Sequence, residues 1–116
     1  MKVELLHIVG CPHTEATRRL LDETLQELGL VCDIEEIEVS DSSQAEALNF
    51  PGSPTIRIDR IDVETGMLRE NRHGLSCRIY VIDGNAHGVP TREMIRRAIQ
   101  AAVSPADTQA RGERLI

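Results

Sequence analysis

The chain has 116 residues, 41% of them hydrophobic, with a formal net charge of −6 and two aromatic residues, Phe50 and Tyr80. That is the size of one domain with an aliphatic core. The negative charge argues against a nucleic-acid backbone as partner, and the lack of aromatics removes a base-stacking platform. No apolar run approaches a membrane span, no signal-peptide pattern follows Met1-Lys2, and a cytoplasmic protein with mostly free cysteines is expected.

In chain order, Lys2 to Val9 is a short apolar run rich in β-formers, ending at Gly10, which predicts a central buried strand. From Thr14 to Leu28 a helix is expected. Ala16, Leu20, Leu21, Leu25 and Leu28 recur at spacings of three and four, and Gly29 supplies a left-handed stop. Val31 to Val39 reads as a second strand with one wet side. Ser40 to Ser43 is a helix-start signal, and Gln44 to Leu48 a short helix. Asn49 to Thr55 is dense in turn residues, and Thr55 to Asp59 is a third strand. Asp59 to Gly74 is polar and reads as an exposed insertion, with room for a hairpin around Ile61 and Val63. Ser76 to Ile82 is a fourth strand closed by Asp83-Gly84. Thr91 N-caps a helix to Val103 with Met94, Ile95, Ala98, Ile99 and Ala102 on its buried stripe. Ala106 to Ile116 has few apolar anchors, so residues 104–116 are expected to form a flexible tail.

The order β-α-β-α-β-β-α predicts an α/β domain over residues 1–103. Its first βαβ unit is parallel with a right-handed crossover. The last two strands, with no helix between them, are antiparallel. The result is a mixed four-stranded sheet with helices on both faces.

The chemistry is expected at Gly10-Cys11-Pro12-His13-Thr14. A cysteine where a strand hands over to a helix meets free backbone N–H groups and the positive end of the helix dipole, and both favour a thiolate. Pro12 suits the first helical position. Thr14 lies one turn on, where its hydroxyl either donates to the thiolate or caps the helix. His13 either adds positive charge when protonated or is simply exposed. The alternative for Cys11 is a small apolar residue at a helix start. Cys32, alternating within an apolar strand, is expected in the core. His7, His13, His73 and His87 are scattered and no Cys-x-x-Cys occurs, so no metal constellation is expected. Two thiolates could still hold a soft ion such as Cu(I) or Hg(II).

This element order, with a cysteine at the first strand–helix turn and Ser53-Pro54 opening the third strand, resembles the thioredoxin fold over roughly Val3 to Val103. In that family the turn is Cys-x-x-Cys. Here it reads Cys11-Pro12-His13-Thr14, with threonine at the second cysteine's place, which excludes a dithiol cycle within the turn. The resemblance implies that Ser53–Pro54 is a cis peptide facing Cys11 and that Ser53 and Pro54 offer backbone to a bound partner. The insertion at Asp59 to Gly74 departs from the family's short hairpin. Gly10-Cys11-Pro12, Gly52-Ser53-Pro54-Thr55 and Cys77-Arg78-Ile79-Tyr80 are also similar to small bacterial thioredoxin-like proteins, some of them labelled alkylmercury lyase.

These readings imply thiol–disulfide exchange without a cofactor. Cys11 attacks a disulfide or soft electrophile, an external thiol or Cys77 releases the adduct, and Pro12, His13, Thr14, Ser53 and Pro54 surround the partner. Cys77 is the open question. An antiparallel fourth strand brings its end, not its start, beside Pro54, leaving Cys77 several residues from Cys11, while a disulfide needs Cα atoms within about 7 Å; the insertion leaves that register open. Two other readings remain: a soft-metal or organomercurial binding protein using cysteine thiolates, and a binding module that has the fold without catalysis.

Overall fold

In the computed structural model, residues 1–64, 75–76 and 78–103 are described. The elements are β1 (Val3–His7), α1 (Thr14–Glu27), β2 (Ile34–Glu38), α2 (Ser42–Ala47), β3 (Thr55–Ile58), β4 (Ile61–Asp62), β5 (Tyr80–Ile82), β6 (Asn85–His87) and α3 (Arg92–Ala102). The first four-stranded sheet runs β2-β1-β3-β4. β1 pairs in parallel with β2 and antiparallel with β3, and β3 is antiparallel to β4.

Because side chains alternate across a strand, β1 feeds two cores. Val3 and Leu5 join Ile56 and Ile58 of β3, Leu21 and Leu25 of α1, and Ile95 and Ile99 of α3 on one face. Leu6 packs with Val39, Ala45 of α2 and Phe50 on the other. Leu5, Leu6, Phe50 and Ile56 are fully buried. The α/β architecture, mixed sheet and helices on both faces therefore agree with the sequence reading.

The helix ends follow their local chemistry. At the end of α1, Gly29 takes φ +70°, and the Leu30 and Gly29 amides donate to the Leu25 and Gln26 carbonyls in a Schellman arrangement. Asp41 caps α2 by accepting from the Gln44 amide, and the Gln44 side chain accepts in return from the Ser40 amide. Thr91 caps α3 through the Met94 amide.

Two expectations are corrected. Ser76 to Ile82 is not the fourth strand of the main sheet. That place is taken by Ile61–Asp62, on the hairpin anticipated near Ile61, whose turn residues Asp59 and Arg60 have φ +50° and +71°. Tyr80–Ile82 pairs instead with Asn85–His87 in a separate two-stranded sheet, across Asp83-Gly84 with φ +53° and +80°. Two successive positive φ values match the twist of a tight hairpin. The buried stripe of α1 is also rotated: Ala16 is exposed, whereas Thr14, Thr17 and Thr24 are buried with Leu21 and Leu25. The expected tail and most of the insertion, residues 65–74, lie outside the described residues.

Candidate functional site

Cys11 sits in the turn between β1 and α1, half-buried. Its amide donates to the Ile8 carbonyl and its carbonyl accepts from the Thr14 amide, both at 3.4 Å. The N-cap of α1 is His13, which makes no side-chain capping bond. Burial pushes the Cys11 thiol up. Hydrogen bonding from the Ser53 hydroxyl, the Thr14 hydroxyl and the His13 and Thr14 amides outweighs it, and the net shift is downward. Hydrogen bonds to the charged form of an acid are the physical cause.

Thr14 is 9% exposed, and its buried hydroxyl has no hydrogen-bond partner. The capping alternative for Thr14 therefore fails. An unsatisfied buried hydroxyl beside a sulfur is a donor in waiting, because a thiolate accepts far better than a thiol. Ser53 is complementary. Its oxygen accepts from the Ile8 amide at 3.1 Å, so its own proton is free for Cys11. Ser53–Pro54 is cis, and both residues are buried.

One expectation about Ser53 is overturned. Its backbone is not on offer to a partner: its N–H donates to the Ser76 carbonyl and its C=O accepts from the Arg78 amide, both at 2.8 Å. The beginning of the Ser76 to Ile82 stretch, not its end, meets the Ser53 side of the sheet, which removes the antiparallel premise used for Cys77. Cys77 itself lies outside the described residues.

Two further groups fix the site. The first centres on Arg78, 5% exposed. Its guanidinium holds Asp62 at 2.6 and 2.8 Å, Glu64 at 2.9 Å and the Thr55 hydroxyl at 3.1 Å. It lies 4.3 Å from the centre of the Tyr80 ring. Burial opposes the charge, but the Asp62 hydrogen bonds, the facing Tyr80 and Glu64 more than compensate, and its pKa is raised. The Tyr80 hydroxyl donates to the Pro54 carbonyl at 2.7 Å, and the Thr55 hydroxyl to the Gly52 carbonyl at 2.6 Å. The whole Gly52 to Thr55 bend is thus bolted to one side of the hairpin strand. Gly52 has φ +134°, and a Cβ there would come within 3.0 Å of the Arg78 Cα.

The second group is Gly88. A Cβ on it would lie 2.5 Å from His13 Nε2, so the imidazole rests on bare backbone. Sequence reasoning missed the roles of Arg78, Tyr80 and Gly88. The usable signal was the period-two pairing of Arg78 with Tyr80, which both point inward while Ile79 and Val81 are 63% and 51% exposed.

Cys32 is half-buried and packs against the α1–α3 core. Burial raises its thiol pKa, with the Asp33 charge adding to it and the N-terminal charge opposing. Among the described residues no three His, Cys, Asp or Glu side chains cluster to hold a metal ion. Nor is any helix among them long and apolar enough to cross a membrane. A cavity of about 420 Å³ between α1 and β2 is lined by Glu15, Arg18, Arg19, Asp22, Ile34 and Glu36, and Cys11 is not part of its lining. No protein-family model matches the chain, and no curated protein or solved structure matches it either.

Proposed function

We propose that this chain is a thioredoxin-like thiol-exchange protein of a reducing compartment, working through the single nucleophile Cys11. The observation that carries the reading is the setting of Cys11: a half-buried sulfur in the β1–α1 turn, beside the Ser53 hydroxyl, the buried and unpartnered Thr14 hydroxyl and the His13 and Thr14 amides, donors that together lower its pKa. The strand order β2-β1-β3-β4 and the cis Ser53–Pro54 bond beside the cysteine turn support the fold assignment.

In the proposed reaction the Cys11 thiolate attacks one sulfur of a disulfide, forming a mixed disulfide and expelling a thiolate that takes the bonding electron pair. Ser53, Thr14 and the first-turn amides lower the energy of the sulfur anion before attack and after release. Thr14 supplies no second sulfur, so release falls to an external low-molecular-weight thiol, with Cys77 as the intramolecular alternative. Pro12 and His13 border the sulfur.

The test is exchange between a small disulfide and a thiol reductant, with the adduct followed by intact mass. The wild-type chain should catalyse exchange and trap one adduct on Cys11. The Cys11→Ser chain should do neither, while Cys32→Ser retains both. Equal rates for wild type and Cys11→Ser would end this reading.

A further inference from the structure

A hydroxyl stabilises an anion only where its oxygen is well placed, because a hydrogen bond weakens steeply as it bends. The Ser53 hydroxyl meets the Cys11 turn at Ile8. Its oxygen accepts from the Ile8 amide at 3.1 Å, and the Ile8 carbonyl accepts from the Cys11 amide at 3.4 Å. The β1–β3 ladder does not reach that far. Its last rung is Leu6–Thr55, so Ser53 lies past it and is placed by other means.

Three successive carbonyls supply the hold, each bound by a different donor. The Gly52 carbonyl accepts from the Thr55 hydroxyl at 2.6 Å. The Ser53 carbonyl accepts from the Arg78 amide at 2.8 Å. The Pro54 carbonyl accepts from the Tyr80 hydroxyl at 2.7 Å. The two hydroxyls thus grip the peptide on either side of Ser53, and neither is loose. Thr55 and Tyr80 have no exposed surface. The Arg78 guanidinium donates to the Thr55 oxygen at 3.1 Å, which leaves the Thr55 proton for Gly52. Tyr80 is paired across the β5–β6 ribbon with His87, and the Arg78 guanidinium lies 4.3 Å from the centre of its ring.

We infer, on the thiol-exchange reading above, that Tyr80 and Thr55 are positioning residues for Cys11: their hydroxyls fix the carbonyls flanking Ser53 and so aim the Ser53 hydroxyl at the sulfur. Both act through Ser53, and neither gives up a proton or bonds to the substrate. Ionisation of Cys11 is governed by its burial, the Ser53 and Thr14 hydroxyls and the His13 and Thr14 amides, with no charged side chain among the described residues taking part. The titratable neighbour in the same turn is His13. Slack in the Ser53 bend therefore reads as loss of thiolate.

The test is the pH midpoint of iodoacetamide alkylation at Cys11 in the full chain, read from peptide masses, with Cys32 as the internal reference. Tyr80→Phe and Thr55→Val each delete one hydroxyl and keep the side chain's shape. Each should raise the Cys11 midpoint by at least about 0.2 pH unit, a part of the about 0.4 to 1 unit that losing one whole hydrogen bond to the thiolate is worth. The Cys32 midpoint should not move. In the Ser53→Ala background each shift should fall by more than half, since the hydroxyl they act through is gone. A smaller shift in either variant, whatever the loss of urea stability, marks a purely structural role and overturns the inference. So does an equal shift at Cys32, or a Cys11 shift that keeps more than half its size in the Ser53→Ala background. Where one variant fails to fold, the other carries the same test. Exchange of 2-hydroxyethyl disulfide on the same samples separates the two claims: a wild-type rate no greater than that of Cys11→Ser ends thiol exchange, whereas unmoved midpoints with exchange intact end only the positioning inference.

Discussion

At the scale of single residues, the ionisation of Cys11 is a balance between a half-buried sulfur that resists charge and four donors that favour it. No charged side chain among the described residues is needed to tip it. The Thr14 hydroxyl does nothing else, so Thr14→Val should raise the pH midpoint of Cys11 alkylation while leaving stability unchanged or slightly improved. Ser53→Ala should raise the midpoint further, as the Ser53 contribution exceeds that of Thr14. It should also cost about 1 kcal/mol of stability, because the Ile8 amide loses its acceptor. The two variants together separate tuning of the thiol from support of the fold, read by alkylation kinetics and urea unfolding. Thr17 is the contrasting case. It is fully buried, and its hydroxyl has no partner and no sulfur that draws on it. Thr17→Val keeps the shape and removes the unsatisfied oxygen, and should stabilise the protein by about 1 kcal/mol in urea unfolding. A loss of stability there would show that the hydroxyl is bonded.

At the scale of elements, two departures from the sequence reading share an origin: polar residues used as interior. α1 buries Thr14, Thr17 and Thr24 at helical spacing, whereas aliphatic periodicity alone points the stripe toward Ala16. Threonine is isosteric with valine and costs little when its hydroxyl bonds back to the helix, as Thr24 does to the Leu20 carbonyl at 2.7 Å. Beyond the insertion the inversion is sharper. Arg78 and Tyr80 face inward and Ile79 and Val81 outward, so a stretch that reads as an ordinary apolar strand buries a guanidinium. Such a charge is tolerated only when paired and hydrogen-bonded. Arg78→Ala should therefore cost about 3–5 kcal/mol in urea unfolding. Arg78→Met, which keeps the bulk but not the fork, should be milder for packing yet still loosen the Gly52–Thr55 bend. The surface pair Arg18–Glu36, at 2.7 Å with 37% and 38% of the side chains exposed, sets the scale for comparison. Its removal should cost less than about 1 kcal/mol despite equally good geometry.

At the scale of the molecule, the architecture was legible because it is carried by local signals that agree with each other. An apolar run ends at Gly10, a helix is stopped by Gly29, Asp41 and Thr91 cap their helices, and the βαβ rule supplies the parallel pairing. The cysteine turn was legible for the same reason, as it sits at the end of a recognisable element, whereas the cis Ser53–Pro54 bond was implied only by the resemblance to the thioredoxin fold. What was not legible depends on pairing across long separations. Nothing local says that Ser76 and Arg78 close over Ser53, or that Gly88 receives His13. The β5–β6 hairpin is the exception: Asp83-Gly84 is a strong hairpin signal, and it was read as the end of a strand instead of the middle of a ribbon. The same long-range pairing that hid from the sequence is what occupies the Ser53 backbone behind the sulfur.

The fold itself is proposed to activate one thiol and not another. That proposal is tested most directly by the pH dependence of iodoacetamide alkylation at Cys11 and Cys32 in the same native sample, read site by site from peptide masses. Lowering of the Cys11 pKa and raising of the Cys32 pKa predict a Cys11 midpoint below the ordinary thiol value of about 8.5 and a Cys32 midpoint above it. On unfolding in urea, the two should converge. Coincident midpoints in the native protein, or Cys11 titrating above Cys32, would contradict the account.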